Sequence, residues 1–358
     1  MKSRLRVAVG LAVTAFFLWL ALRGIDWRQV WEHLRRANYL LLAASIAVST
    51  LGMHIRALRW GTLLAPLGRE VPFHPRIAGT FVGFAANNLL PARVGEFVRT
   101  LVCARVGALP VSSVFASLVL ERVLDGLVMV SFLFGVMSWP GFPTMTGSFS
   151  GVDPRAAARV LAVMAVVVGG VLLAMALYPR PAVRTVERVA RIFPERFRRL
   201  LVDSVHAFVE GLGVLRSPRL LAASVAWALF QWTFLATSYL LAFHAFGITE
   251  PGFVGAVFLQ SIIAIAVSIP SAPGFFGTFH AAARYGLLLW GVDETRAISF
   301  AIGFHLGGWL SVTGIGLWYV WSLGLSWRDL RGSAEKVEEE VEEEVERDPR
   351  MDGGRGSA

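Results

Sequence analysis

The chain has 358 residues, of which 55% are hydrophobic and 16% are charged, and its formal net charge is +9. Soluble chains carry about 25% charged residues, so this composition excludes an ordinary soluble domain and predicts an integral membrane protein. The single cysteine, Cys103, excludes an internal disulfide framework and a cysteine-based metal site. Arginine dominates the positive charge, as is typical of segments that flank membrane spans, and we do not expect nucleic-acid binding.

The apolar residues form runs long enough to cross a bilayer, which takes about 20 residues per helix. Six runs are predicted to be full spans, near residues 7–22, 38–60, 111–139, 156–178, 220–246 and 297–325. The first run resembles a signal peptide, but it is long for one and lacks a small-residue cleavage site, so we expect a retained span. Arg56 and Arg59 are interpreted as the basic flank that closes the second run.

Two stretches between the spans have the pattern of amphipathic surface helices. Residues 24–37 contain three arginines together with Trp27 and Trp31, which predicts a helix lying in the membrane interface. Residues 180–199 contain seven arginines against Glu187 and Glu195, with apolar residues near helical spacing. By the positive-inside rule this second stretch is cytoplasmic, which places both termini on the cytoplasmic side.

Two apolar segments are interrupted and too short for simple spans. Residues 77–90 stop at Pro91, and apolar character resumes after Gly95 as far as Val106. Residues 252–269 stop at a break that contains Pro270, Pro273, Gly274 and Gly277, and a second short helix is predicted over 279–290. Each segment is therefore predicted to be a re-entrant helical hairpin.

The two hairpins are predicted to form an inverted repeat. Pro91 and Pro270 are 179 residues apart, and so are Gly95 and Gly274. Chance is the alternative, because the chain has 35 glycines and 16 prolines. The predicted topology makes the hairpins enter from opposite faces, which is the usual sign of a transporter binding site. The predicted fold is an all-α polytopic membrane domain over residues 1–330, followed by an acidic cytoplasmic tail, 331–358, that is disordered or a short exposed helix.

Charged residues also stand at membrane depth, where each costs roughly 2.5–3.5 kcal/mol and needs a partner or a function. They are Arg93, Glu96 and Arg99 after the first break, and Glu121, Arg122 and Asp125 in the third span. One interpretation is a structural network that joins Glu96 to Arg122 and Asp125 to Arg93 or Arg99. The other is a cavity whose arginines bind a phosphate headgroup, and the sequence leaves both open.

Histidines occupy corresponding places in the second half. His280 follows the second break, and His305 lies within one residue of the position equivalent to Asp125. A histidine in a helix is usually a packing group, but two near a predicted cavity also fit a headgroup or proton role. Neither has a second ligand at helical spacing, so no metal is expected. Ser271 is read as a turn residue, and free N–H groups at Gly95 and Gly274 are predicted to face an anion.

The residues around both breaks resemble a known family. Asn87-Asn88-Leu89-Leu90-Pro91-Ala92-Arg93-Val94-Gly95-Glu96, with Arg99, Glu121-Arg122 and Asp125, resembles the first signature of the lysylphosphatidylglycerol synthase transmembrane, or flippase-like, family (UPF0104-type membrane proteins). Residues 270–279 resemble its second signature, although His280 stands where the family commonly has an acidic residue. The resemblance implies a lipid flippase-type domain. We expect no aminoacyl-transferase domain like that of the bifunctional member, so lipid synthesis is not implied.

We therefore expect a translocase in the cell membrane that moves an anionic or aminoacylated phospholipid, or a related lipid. The alternatives are a non-transporting scaffold for an envelope lipid or glycan enzyme and, third, an intramembrane lipid-modifying enzyme. Enzyme motifs are missing, so we expect no catalysis and no cofactor, with membrane lipids and a lipid-modifying enzyme as partners. The candidate substrate-binding residues are Asn88, Arg93, Glu96, Arg99, Glu121, Arg122, Asp125, Ser271, His280 and His305.

Overall fold

The computed structural model describes residues 2–67, 70–90, 94–143, 178–190, 214, 217–268 and 273–326, with separate positions between 163 and 177 and between 330 and 340. Within these ranges no residue lies in a β-strand, so the predicted all-helical class is confirmed for them. The first half contains α1 (Lys2–Leu22), α2 (Trp27–Arg36), α3 (Tyr39–Leu64), α4 (Phe73–Leu89), α5 (Gly95–Gly107) and α6 (Val111–Met137). The second half contains α7 (Pro179–Ala190), α8 (Pro218–Ala245), α9 (Gly252–Ala266), α10 (Thr278–Leu288) and α11 (Glu294–Ser322).

Short polar side chains set the starts of several helices. Asp26 accepts hydrogen bonds from the backbone N–H groups of the first turn of α2, and Asn38 does the same for α3. Ser217 and Asp293 cap α8 and α11 in the same way. Such caps supply partners for N–H groups that have none inside the helix, which explains why these helices begin where a polar residue precedes an apolar run.

Among the described residues, three helices are long and apolar enough to cross a membrane: Tyr39–Leu67, Pro218–Ala245 and Glu294–Ser322. The first includes a 3-10 turn, Ala65–Leu67, that follows α3. The predicted span at 156–178 and the loop at 140–154 lie mostly outside the described residues, as do residues 191–199 of the predicted basic helix. Its first part is helical as α7, and α2 carries the exposed side chains of Trp27 and Trp31.

The interrupted segments are pairs of short helices. The pair α4 and α5 has 17 and 13 residues, and the pair α9 and α10 has 15 and 11. At about 1.5 Å per residue none of them spans a hydrocarbon core of about 30 Å. The first pair packs closely, because a β-carbon on Gly83 would lie only 2.7 Å from the carbonyl oxygen of Gly95.

The helix after each break begins differently. The first begins at Gly95, as the sequence predicts. The second begins at Thr278, one residue before the predicted start at Phe279, so Gly274 precedes this helix and does not start it. Gly274 lies in a 3-10 turn, Pro273–Phe275, with φ at 73°, a left-handed conformation that glycine adopts readily. Pro91, Arg93, Pro270 and Ser271 lie outside the described residues.

The helices of the two halves pack in corresponding pairs. α3 packs against α8, α4 packs against α11, and α9 packs against α6. Within each half, α3 contacts α4 and α5 contacts α6, while α8 contacts α9 and α10 contacts α11. The turn at Pro273–Phe275 also lies against α4, so the second break touches the first hairpin.

The first helix and part of the acidic tail each pack against a short helix. α1 packs on α10, where the buried Arg284 donates hydrogen bonds to the carbonyls of Leu20 (3.1 Å) and Ala21 (2.8 Å). Near the other end, Leu330 and Val337 are buried in apolar clusters with residues of α5. Arg105 of α5 also pairs with Glu340 at 2.8 Å. Leu330 and Val337 are therefore packed against α5, whereas Glu335 and Glu339 are exposed. The remainder of the tail lies outside the described residues.

Candidate functional site

Seven charged side chains meet where α3, α5 and α6 pack together, and we call them the charged cluster. They are Arg56 and Arg59 from α3, Glu96 and Arg99 from α5, and Glu121, Arg122 and Asp125 from α6. Glu121 and Asp125 on α6 stand four residues apart, so they share one face of that helix. The middle of α6 therefore has one polar face, and this face is directed toward α3 and α5.

Glu121 is the centre of the charged cluster and is completely buried. Both of its oxygens accept hydrogen bonds from Arg99, at 2.8 and 2.9 Å, in the bidentate arrangement that suits a guanidinium. One of these oxygens also accepts from Arg56 and, at 3.1 Å, from Arg122. One carboxylate thus compensates part of the positive charge of three arginines. Its removal would leave uncompensated positive charge in a buried site.

Asp125 joins the cluster to a further helix. It accepts hydrogen bonds from Arg56 at 3.0 Å, from Arg59, and from the indole N–H of Trp232 of α8 at 2.9 Å. The side-chain oxygen of Gln231 accepts a longer bond from Arg59, at 3.4 Å. The cluster therefore links α3 and α6 to α8 as well as to the first hairpin.

Aromatic rings enclose the arginines. The guanidinium of Arg99 lies 4.1 Å from the ring centre of Trp60. That of Arg56 lies between Phe84 and Trp232, at 5.5 and 5.6 Å. Such contacts contribute about 0.5–2 kcal/mol each.

The cluster has one more positive charge than negative, since four arginines face three carboxylates. Within the described part of the chain, Nε and Nη2 of Arg59, Nε of Arg99 and Oε2 of Glu96 are buried without a hydrogen-bond partner. Arg122 and Glu96 differ from the rest, because their side chains are 40% and 30% exposed and lie 3.6 Å apart. The interior of the cluster is thus buried and joined by ion pairs, although three of its guanidinium nitrogens have no partner, and Arg122 and Glu96 form an accessible face.

The first break is closed by two asparagines. The side-chain oxygen of Asn87 accepts the backbone N–H of Gly95 at 2.9 Å, so the prediction of a free N–H at Gly95 is wrong. The adjacent Asn88 donates to the hydroxyl of Thr313 on α11 at 2.9 Å. The break is therefore held on one side by its own helix and on the other by the last helix of the second half.

The second break carries an uncharged group that we call the histidine cluster: Phe276, Phe279, His280, His305 and Trp309. The ring centres of His280 and His305 are 5.1 Å apart, and His305 stacks on Phe279 at 4.2 Å. Nδ1 of each histidine and Nε1 of Trp309 are buried and have no hydrogen-bond partner among the residues described. Across 273–326 and the other described ranges, no group of three or more His, Cys, Asp or Glu residues could hold a metal ion.

The sequence and the structure agree on part of this site. The predicted pair of Glu96 and Arg122 is present, whereas Asp125 pairs with Arg56 and Arg59 rather than with Arg99. Arg99 pairs with Glu121 instead. Both α3 arginines were misread as a flank of the second span because they stand at the end of its apolar run. Gln231 and Trp232 were also missed, since an uncharged residue in an apolar helix gives no signal by itself.

Long apolar helices with charged side chains buried between them define an integral membrane protein. Comparison with known families identifies the family to which it belongs. The family described as "Lysylphosphatidylglycerol synthase TM region" matches residues 7–316, and the chain belongs to this family. The chain is 26% identical over 320 residues to the UPF0104 membrane protein PH1989 of Pyrococcus horikoshii, covering 84% of this chain and 90% of that one.

A second relative is longer. The chain is 28% identical over 300 residues to "Glycosyltransferase AglD" of Haloferax volcanii, covering 78% of this chain and 48% of that protein. The chain thus spans about half the length of this relative. No solved structure matches the chain.

Proposed function

We propose that the chain is a lipid translocase of the cell membrane that moves a lipid with an anionic headgroup between leaflets. The observation that carries the proposal is the accessible Arg122–Glu96 face of a charged cluster with a net positive charge, beside a broken hairpin. Charge at membrane depth is expensive and usually marks a pathway. The proposal assigns no chemical conversion to the chain.

The interior of the charged cluster is best explained as structure, and its open face as the binding site. Arg56, Arg59 and Arg99 are almost fully buried and paired, so a headgroup would have to break these pairs to reach them. Arg122 can bind a phosphate by exchanging its 3.6 Å contact with Glu96 for a bidentate one. Glu96 then competes with the bound headgroup for Arg122, which favours release.

The pairing of helices supports an inverted repeat as the moving framework. α3 and α8 begin 179 residues apart and pack against each other, and α4 and α9 also begin 179 residues apart. α4 packs on α11 while α9 packs on α6, so each hairpin contacts the long helix of the other half. Rocking of one half against the other would open the site to alternate leaflets. The arginine-rich α7 is assigned to the cytoplasmic side, with both termini.

Lipid movement in proteoliposomes tests this function. The purified chain is reconstituted with fluorescent phosphatidylglycerol, and the labelled lipid that becomes accessible to a membrane-impermeant quencher is followed with time. We expect Arg122→Gln to slow movement at least tenfold, because one charge-assisted bidentate contact contributes about 1.5–3 kcal/mol. Arg122→Lys should restore only part of the rate, since lysine cannot bind phosphate bidentately.

Arg105→Gln is the matched control, because Arg105 also lies on the first hairpin, is 43% exposed and pairs with a carboxylate. Its rate should stay within twofold of wild type. Equal rates for Arg122→Gln and wild type would remove Arg122 from the site. No movement of any anionic lipid by wild-type protein would contradict the translocase.

One observation favours a second candidate, a non-transporting partner of an envelope lipid or glycan enzyme. A relative with the same membrane region is named a glycosyltransferase and is about twice as long as the match, so there the region is joined to a further part. A scaffold of this kind would bind an enzyme of glycan or lipid synthesis and move no lipid. Two results together would favour the scaffold. Wild-type protein would move no lipid, and the Arg122→Gln variant would still co-purify with such an enzyme.

A further inference from the structure

We propose that His305 and His280 together bind one proton that is moved with the lipid, so that the histidine cluster couples transport to a proton gradient. This inference rests on the proposed translocase function. It starts from the two Nδ1 atoms, which are buried in the membrane domain without a hydrogen-bond partner in the described structure. An unpaired buried polar group costs about 1–3 kcal/mol, so two adjacent ones need a reason.

The separation of the two rings suits a shared proton. Their centres lie 5.1 Å apart. Each ring nitrogen lies about 1 Å from its own centre, so rotation of the rings can bring two nitrogens to about 3 Å, the length of an N–H···N hydrogen bond. A proton on His305 would then be donated to neutral His280, and the backbone of Gly274 also lies within hydrogen-bonding reach of His305. Near the N-terminus of α10, His280 is the less favourable place for the charge itself.

The rings around the pair are uncharged. Phe276 and Phe279 contact both histidines, and α9 contains no charged residue. On α10, Arg284 points to the end of α1 and to Glu294. α11 has no charged residue between Arg296 and Ser322. The pair is therefore a neutral site in which one added proton is the largest change of charge.

Other titratable groups on the neighbouring helices have their own partners or lie at helix ends. On α3, His54 packs on Phe81 and the arginines bind the charged cluster. On α4, Arg76 binds the carbonyls of Ala57 and Leu58. The remaining groups on the packed elements are Tyr39, His74, Arg219, Tyr239, His244, Tyr285, Tyr319, Arg23 and the charged residues of α2 and of the start of α1.

The position of the pair connects it to the moving parts. His305 and Trp309 stand one turn apart on α11, and Trp309 lies against Gly274 of the second break. One further turn along, Thr313 binds Asn88 of the first break. Both breaks thus meet α11 within about two turns. A proton that tightens His280 against His305 pulls the second break toward α11 and changes its contact with α4.

Proteoliposomes with an imposed pH difference test the coupling. They contain wild-type protein and fluorescent phosphatidylglycerol, and valinomycin with equal potassium on both sides holds the membrane potential at zero. One proton per lipid predicts about tenfold enrichment of the lipid in the leaflet on the alkaline side for each pH unit. His305→Gln and His280→Gln should abolish the enrichment while exchange at equal pH continues.

His244→Gln is the control, because His244 is exposed at the end of α8 and far in sequence from both breaks. It should keep the full enrichment. Lipid exchange in wild type without any response to the pH difference would overturn the coupling and leave the translocase standing. Enrichment that survives in both histidine variants would overturn it as well.

Nitrogen-15 NMR of histidine-labelled protein provides a readout that does not need lipid movement. We expect the signals of His280 and His305 to titrate together with the uptake of one proton, and His280→Gln to change the titration of His305. Independent titration of the two rings, or titration of neither between pH 4 and 9, would overturn the shared site even if no lipid moved. Uptake of one shared proton without any lipid movement would support the proton site. It would contradict only the translocase function.

Discussion

The two halves of the chain place opposite chemistry beside their helix breaks. The charged cluster beside the first break contains seven ionic side chains, most of them buried and paired. The histidine cluster beside the second break contains rings without a carboxylate or arginine partner, and three of their nitrogens have no hydrogen-bond partner in the described structure. Similar helix order therefore does not imply similar chemistry. A paired network resists change because every member depends on the others, whereas an unpaired group is free to accept a ligand or a proton.

The strongest test of this contrast is Glu121→Gln. We expect it to lower the free energy of unfolding by about 3–5 kcal/mol, because it removes the charge that compensates three arginines in a buried site. Denaturant unfolding in micelles measures the change. Glu32→Gln is the control, since its exposed pair with Arg28 is worth under about 0.5 kcal/mol. A loss below 1 kcal/mol for Glu121→Gln would mean that the network does not hold the fold.

Close packing at the first hairpin gives the next largest effect. Gly83→Ala should destabilise the protein by about 1–3 kcal/mol, because the new β-carbon would meet the Gly95 carbonyl at 2.7 Å and Cβ of Arg99 at 2.8 Å. It would also disturb the Arg99–Glu121 pair. Gly126→Ala on α6 has open space and should be neutral or stabilising by up to about 1 kcal/mol. Equal unfolding midpoints for the two variants would contradict the close packing of α4 on α5.

The cap at the first break gives a smaller effect. Asn87→Ala should cost about 1 kcal/mol, because the backbone N–H of Gly95 loses its acceptor. Hydrogen exchange should quicken at the start of α5 more than at the start of α10, where no side-chain cap bond is present at Gly277. Unchanged exchange at Gly95 would show that this bond does not hold the break.

The smallest effect is expected in the second half. His305→Phe should change the unfolding free energy by less than about 1 kcal/mol, because the ring is similar in size and one unpaired buried nitrogen disappears. The same unfolding measurement that is used for Glu121→Gln compares the two halves directly. A loss of 3 kcal/mol or more would mean that the histidine cluster is a structural network like the charged one.

The sequence predicted the described helices because apolar runs and breaks are local features. α5 begins at Gly95, where the sequence predicts it, but α4 begins at Phe73, four residues before the predicted segment at 77–90. Asp26 and Asn38 cap the starts of α2 and α3. The prediction of α3 ended at Trp60, four residues early, because Arg56 and Arg59 were interpreted as lying at the membrane surface. Their burial depends on carboxylates about 65 residues away, and a single sequence does not show which distant charges meet.

The residues of the candidate site could also be predicted from local features, whereas their pairing could not. Glu96, Arg99, Glu121, Arg122 and Asp125 were found because charge inside an apolar run is conspicuous. Their pairing required the packing of α3 on α6, which no periodicity reveals. The Gly95 N–H was expected to be free because helix starts usually lack partners, but an asparagine eight residues earlier occupies it. Functional roles for these residues, including the candidates outside the described ranges, stay predictions.

The link between Arg284 and the end of α1 sets an order of events during biosynthesis. The carbonyl of Ala21 accepts a hydrogen bond from Arg284, which is 263 residues further along the chain. At about 5–20 residues per second, a ribosome needs about 13–53 s to make that donor. The first helix is therefore without its final neighbour while the next 263 residues are made. Arrest of translation before residue 284 should leave α1 accessible to cross-linking with the insertion machinery.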